Sequence, residues 1–262
     1  MSGGVDRHTH IVRIADTEHL LVALDFDGTL APLVDEPMTA RMTRRARAAV
    51  ERLDALPETT VALVSGRNLH DLRAIAEHTD DSPYLLAGSH GAEFWFPESG
   101  VVDSARDGDE ERRRDTLRTR VEEVVADLPG VWIEPKAFGF ALHTRLATAD
   151  IAETVRGTVD ELMTTDAAHW RRRTGKGVVE YAFRHEGKDS AIAALRAHTR
   201  ATAVFFAGDD VTDEDALASL GSDDLGVRVG DATGAASVFV ADVEDLASLL
   251  EELATVRARA RQ

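Results

Sequence analysis

The chain has 262 residues, 44% of them apolar, enough for one large core or a core with a smaller companion domain. Its 47 acidic against 30 basic residues give a net charge of −17, which argues against nucleic acid and anionic membrane as partners. With no cysteine, disulfides and thiolate metal sites are excluded.

No apolar run is long enough to span a bilayer, and residues 1–16 carry no signal-peptide pattern, so a cytoplasmic protein is expected. Only three of the basic residues are Lys (Lys136, Lys176 and Lys188); the rest are Arg. An acidic, Lys-poor chain suits a salt-rich cytoplasm, where carboxylates keep a protein hydrated. GC-biased codon usage gives the same composition.

Residues 1–16 are polar, and His8 and His10 read as part of a disordered terminus. Then six short, largely apolar runs follow at 20–24, 60–64, 84–87, 203–207, 226–229 and 238–241, with Arg228 the one charge among them. Such runs mark strands covered on both faces, as in parallel sheets. Helical patterns lie between them, over 43–56, 69–76, 189–198, 213–220 and 243–259. The alternation predicts an α/β fold with a doubly wound, Rossmann-like parallel sheet.

The middle breaks the rhythm. "SARDGDEERRRD" at 104–115 reads as a hinge or surface crossing. Beyond it come a helix at 115–128, "VWIEPKAFGFALHTR" at 131–145, a helix at 150–163 and "WRRRTGKGVVEYAFR" at 170–184. Partial alternation in the two strand-like passages predicts an inserted α+β cap. The expected domains are a core made of 1–107 and 185–262, with the cap at 108–184.

Ligands of doubly wound sheets bind at the carboxyl ends of strands. The first strand ends in "DFDGT", with Asp25 and Asp27 in that position. Two carboxylates so close need a cation or a shared proton. One can attack phosphorus while the other moves protons. Gly28 and Thr29 supply backbone freedom and a hydroxyl beside an anion. The second strand ends in Ser65-Gly66-Arg67, where a hydroxyl and helix-side amides can hold phosphate. Lys188 stands at a helix start that Asp189 or Ser190 can cap. "GDDVTDEDAL" follows another strand, and Asp209 with Asp213 suits the few-carboxylate shell of Mg²⁺.

In this order, DxDGT, strand-end Ser, Lys and GDDxTDED resemble the haloacid dehalogenase superfamily of phosphotransferases. Asp at the +2 position, Asp27, points within it to a phosphatase or phosphomutase. The resemblance implies Asp25 as nucleophile, Asp27 as general acid/base and Lys188 as charge stabiliser. It implies Thr29, Ser65, Gly66 and Lys188 around phosphate, and Mg²⁺ on Asp25, Asp27 (through its carbonyl), Asp209 and Asp213.

Over both core and cap, "DFDGTLAPLVDEP", "LVSGRNLHDL", "GSHGAEF", "EPKAFGFALHTR", "GKGVVEY" and "GDDVTDEDAL" are similar to trehalose-6-phosphate phosphatases. The expected reaction is Mg²⁺-dependent hydrolysis of trehalose 6-phosphate through an aspartyl phosphate, with cap closure over the substrate. Arg67, His90, Glu134, Lys136, His143, Arg145, Lys176 and Glu180 are the candidate sugar contacts. His90 and Glu93 either touch substrate or brace the junction. Two positions depart from the family pattern: Asp189 follows Lys188 in place of Gly, and His143-Thr144-Arg145 replaces His-Tyr-Arg. Related sugar phosphatases acting on sucrose 6-phosphate or glycosyl-phosphoglycerates are the alternative, with Arg171–Arg173 suited to a carboxylate; a non-catalytic sugar-phosphate sensor is a third. The expected partner is a small sugar phosphate, with no nucleic acid or membrane, and a monomeric state.

Overall fold

All five side chains of β1 (Leu20–Leu24) are buried, and they divide between two cores. Leu20, Val22 and Leu24 join one cluster, and Leu21 and Ala23 the other. Period-two alternation in a strand covered on both faces requires this split. The computed structural model describes residues 6–103, 107–175 and 177–261.

The chain divides into two compact units: Met1–Asp103 with Glu186–Gln262, and Ser104–His185. The first is built on an eight-stranded sheet in the order β12-β11-β10-β1-β2-β3-β4-β5. Its strands are β1, β2 (Thr59–Val64), β3 (Leu85–Gly88), β4 (Glu93–Phe96), β5 (Gly100–Asp103), β10 (Ala203–Gly208), β11 (Leu225–Val229) and β12 (Val238–Val240). From β12 to β3 every pair is parallel, as expected. One core holds Ile11, Val50, Leu72 and Leu250, from α1 (Arg7–Ala15), α2 (Arg44–Asp54), α3 (Leu69–Ala76) and α8 (Val243–Ala260). The opposite one holds Ile192, Leu195 and Ala216, from α6 (Lys188–Thr199) and α7 (Glu214–Ser219).

Several expectations need correcting. Beyond β3 the parallel sheet continues into two antiparallel strands, β4 and the edge strand β5. Ser89, His90 and Gly91, all at positive φ, reverse the chain after β3 in place of a helical crossover. Residues 7–15 are helical, not a disordered terminus. Ile11, Ile14 and Ala15 are buried, Arg7 bonds Asp245 at 3.0 Å, and His8 meets Glu252 at 2.6 Å. The passage at 104–115 is largely the start of α4 (Gly108–Val125); residues 104–106 lie outside the described residues. The Asp107 side chain caps it, accepting from the amides of Asp109 and Glu110. Asp109, Glu110 and Glu111 in the first turn match the helix dipole.

The second unit has an antiparallel sheet, β6-β7-β9-β8. Its strands are β6 (Trp132–Lys136), β7 (Gly139–His143), β8 (Arg171–Gly175) and β9 (Val178–Ala182). Phe140, Leu142, Val179 and Tyr181 pack with Leu117, Val121 and Val125 of α4 and with Val155, Val159 and Met163 of α5 (Ala149–Asp166). This is an α+β unit with one apolar sheet face covered by helices. Among the described residues no helix is long and apolar enough to cross a membrane.

Candidate active site

Strand β1 delivers Asp25 to the carboxyl edge of the sheet, its amide bonded to the Ala207 carbonyl at 2.9 Å. The chain then turns tightly, Gly28 donating to the Ala31 carbonyl at 2.8 Å. Gly28 has φ +80°, and a Cβ there would stand 2.1 Å from Asp209 Oδ2. A side chain would therefore strain the turn and displace the neighbouring carboxylate.

Asp25, Thr29, Lys188 and Asp213 are all buried, and they converge. Lys188 donates to Asp25 Oδ1 at 2.5 Å and to Asp213 Oδ1 at 2.6 Å. Thr29 Oγ1 lies 3.1 Å from Asp25 Oδ2 and 3.3 Å from Asp209 Oδ1; its single proton serves one at a time. The Asp210 amide donates to Asp213 Oδ2 at 2.9 Å, so both oxygens of Asp213 are fixed.

This cluster is short of positive charge. Burial raises Asp25 well above the usual carboxylate range, and Asp213 and Asp209 add to the rise against the pull of Lys188. Burial, then Asp213, raises Asp209 to about 6. Burial alone would lower Lys188, but Asp213 and Asp25 outweigh it and raise it, so the ammonium keeps its charge. One ammonium faces three carboxylates. Oxygens of Asp25, Asp209 and Asp213 lie within 4.8 Å of one another, a donor set suited to a hard divalent cation. The Asp27 side chain is not in that set.

Asp27 is engaged elsewhere. Arg67 donates to it through two bonds of 2.6 Å, Nε to Oδ2 and Nη2 to Oδ1. Ser65 Oγ accepts from the Arg67 amide at 3.1 Å and so shapes the turn that aims Arg67. His90 lies across Gly66, where a Cβ would be 2.6 Å from its Cε1. Glu93 accepts from Ser89 Oγ at 2.5 Å and from the Leu69 amide at 3.2 Å, bracing the start of α3. Gly187, not Asp189 or Ser190, is the N-cap of α6. Lys188 is therefore the first helical residue, and Ser190 closes back on Gly187 with bonds of 2.8 and 2.9 Å.

In the second unit, strand register collects Glu134, Lys136, His143 and Glu180 on one face. Trp132 stands opposite His143, Glu134 opposite Ala141, Glu180 also opposite Ala141, and Arg173 opposite Glu180. Glu134 accepts from Lys136 at 2.6 Å and meets His143 Nε2 at 2.8 Å. Burial raises Glu134, but His143 and Lys136 outweigh it and bring it down to about 2. Trp132 stacks on His143 with ring centres 4.6 Å apart, and Arg145 lies 5.2 Å over the same indole. Lys176 lies outside the described residues. Trp132 was not singled out from sequence, although its spacing of two from Glu134 and four from Lys136 places all three on one face. The Arg171–Arg173 run splits by the same rule. Arg171 and Arg173 share the Glu180 face, while Arg172 turns to Asp160 on α5 with bonds of 2.6 and 3.0 Å.

Solved structures share this fold. A trehalose-6-phosphate phosphatase C-terminal domain from C. albicans superposes with a TM-score of 0.79 at 19% identity, covering 96% of this chain and 97% of that one. A haloacid dehalogenase-like hydrolase from B. subtilis gives 0.59 at 14% identity, covering 88% and 98%. Parallel sheet, edge carboxylates and smaller antiparallel sheet define a haloacid dehalogenase-like fold.

The trehalose-phosphatase family model matches residues 23–244. A trehalose-6-phosphate phosphatase of Escherichia coli is 31% identical over 255 residues, covering 91% of this chain and 88% of that protein. A trehalose-phosphate phosphatase of Mycobacterium avium is 33% identical over 214 residues, covering 76% of this chain and 51% of that protein. The chain spans about half the length of the mycobacterial relatives it matches. It belongs to the trehalose-phosphatase family.

Proposed function

We propose that the protein hydrolyses trehalose 6-phosphate to trehalose and phosphate. The observation that carries this reading is the Asp25 carboxylate, rigid at a strand end and gripped by Lys188 at 2.5 Å beside Asp209 and Asp213. Family membership supports the substrate.

An Asp25 oxygen attacks phosphorus, and the bond from phosphorus to the sugar oxygen breaks. Asp27 gives that oxygen its proton. Water then attacks the aspartyl phosphate at phosphorus, Asp27 takes a proton from it, and phosphate leaves as the Asp25 carboxylate is restored. Lys188 balances charge on Asp25 and on the phosphoryl oxygens. Thr29, Ser65 and Gly66 orient the phosphate. Asp25, Asp209 and Asp213, with the Asp27 carbonyl, would hold Mg²⁺. When bound, the ion offsets repulsion between carboxylate and phosphate. Glu134, Lys136, His143, Arg145, Lys176 and Glu180 of the second unit serve the sugar hydroxyls. Arg171 and Arg173 on the same face favour, as a second reading, a sugar phosphate that carries a carboxylate.

Steady-state kinetics of Glu134→Gln and Lys136→Ala test the sugar assignment. Each is expected to raise KM for trehalose 6-phosphate about tenfold with a smaller effect on kcat. An unchanged KM in both would remove the sugar role from this face. The cysteine-free composition suits a reducing cytoplasm, and a monomer completes the reading.

A further inference from the structure

In the arrangement seen here the Asp27 carboxylate is committed to Arg67 through both of its oxygens. Both of its oxygens accept from the Arg67 guanidinium at 2.6 Å, and both side chains are largely sheltered, at 18% and 28% exposure. A two-point fork of this kind is among the stronger charge-assisted pairings. The Arg67 backbone is held at both ends, its amide on Ser65 Oγ at 3.1 Å and its carbonyl accepting from the Ser89 amide at 2.6 Å. The side chain makes the fork to Asp27, and its Nη1 lies 3.9 Å from Met38 Sδ. It reaches across the sheet edge from the end of β2 to the loop after β1, joining residues 40 apart in the chain.

We propose that Arg67 is a specificity-determining latch: it holds Asp27 out of action until paired hydroxyl oxygens of a sugar leaving group take the guanidinium from it. This rests on the reading of Asp27 as the group that serves the leaving oxygen. Hydroxyl oxygens accept hydrogen bonds, and adjacent ring hydroxyls offer the two-point spacing a guanidinium fork needs. A phosphate ester whose leaving group has no hydroxyls cannot make that exchange. Its turnover is throttled by the fraction of molecules in which Asp27 stands released. The chain thereby rejects small phosphate esters without building a clash against them.

Two substrates and one spectrum test this. For ethyl phosphate, Arg67→Gln is expected to raise kcat about fivefold, because the latch is gone. For trehalose 6-phosphate the same variant is expected to lower kcat/KM about tenfold, because the guanidinium no longer meets the sugar. Arg67→Lys, with a single point of contact, should fall between wild type and Arg67→Gln on ethyl phosphate and covers the case of a poorly folded Gln variant. A parallel fall on both substrates overturns the latch.

The Arg67 Nε–H resonance, assigned by its loss in Arg67→Lys, gives a readout independent of turnover. It is expected to exchange slowly with water in the free protein and to lose that protection in Asp27→Asn. Trehalose should shift it, and ethyl phosphate should not. An unprotected resonance in the free protein, or one that trehalose leaves in place, overturns the proposal even if no ester is hydrolysed. A protein that turns over ethyl phosphate but not trehalose 6-phosphate would refute the sugar assignment instead.

Discussion

Lys188 Nζ stands 2.5 Å from Asp25 Oδ1, the two side chains 3% and 6% exposed. The pair joins the first residue of α6 to the end of β1, across 163 residues. At neutral pH the ammonium also reaches Asp213, so one cation holds two of three crowded carboxylates.

Lys188→Met should therefore cut kcat by about two to three orders of magnitude, the usual effect of removing a preorganised charge. It should also destabilise the fold, since two buried carboxylates lose their counter-charge. Phosphate-release kinetics and urea unfolding check the two effects. A variant that keeps wild-type kcat would take Lys188 out of the chemistry.

Without a divalent cation, stability is expected to fall as pH rises from about 4 to about 6, because burial and Asp213 hold Asp209 protonated up to about 6. Asp209 holds its proton more tightly in the folded than in the unfolded chain across that window, so its contribution to stability is lost as the proton leaves. Asp25, raised by burial, contributes in the same direction. Added Mg²⁺ favours the ionised carboxylates and should raise Tm more at pH 7 than at pH 5. Thermal unfolding in EDTA and in Mg²⁺ at both pH values measures this. An equal Mg²⁺ effect at the two would contradict the assignment of the cluster as a cation site.

Arg257 is fully buried near the end of α8. It donates to Thr59 Oγ1 at 2.6 Å, to the carbonyls of Ala15 and Thr17 at 3.1 and 2.8 Å, and to those of Glu18 and Glu58. Burial lowers it to about 10, which leaves it charged at neutral pH. It ties α1 and the entries of β1 and β2 to the last helix. Arg257→Met should cost about 3 kcal/mol, the range for stranding several buried polar partners. Arg257→Lys should recover little of it, since an ammonium cannot span the same set of acceptors. Urea denaturation of both variants checks this.

Most strands of the parallel sheet are readable as nearly unbroken apolar runs, as burial on both faces demands; β11 is the exception, with Arg228 inside it. Asp25, Lys188, Asp209 and Asp213 were readable as strand-end or helix-start charges, and the structure brings all four together. Helix α1 was not readable. Only Ile11, Ile14 and Ala15 face inward among Arg and His, and the partner helix α8 lies at the other end of the chain. Strands β4 and β5 were missed because their reversal depends on positive φ at Ser89, His90 and Gly91, which composition does not announce. The sequence pattern sets Arg67 among the sugar contacts. Its bond to Asp27, 40 residues away, follows from the β1–β2 pairing and from no local pattern.

Phosphate release from a panel of esters tests the central claim most directly. The panel is trehalose 6-phosphate, glucose 6-phosphate, sucrose 6-phosphate and a glycosyl-phosphoglycerate, each with Mg²⁺ and with EDTA, for wild type and Asp25→Asn. The expected result is a strong preference for trehalose 6-phosphate, dependent on Mg²⁺, and no turnover by a folded Asp25→Asn protein. Equal or better turnover of another ester, or an active Asp25→Asn variant, would contradict the account.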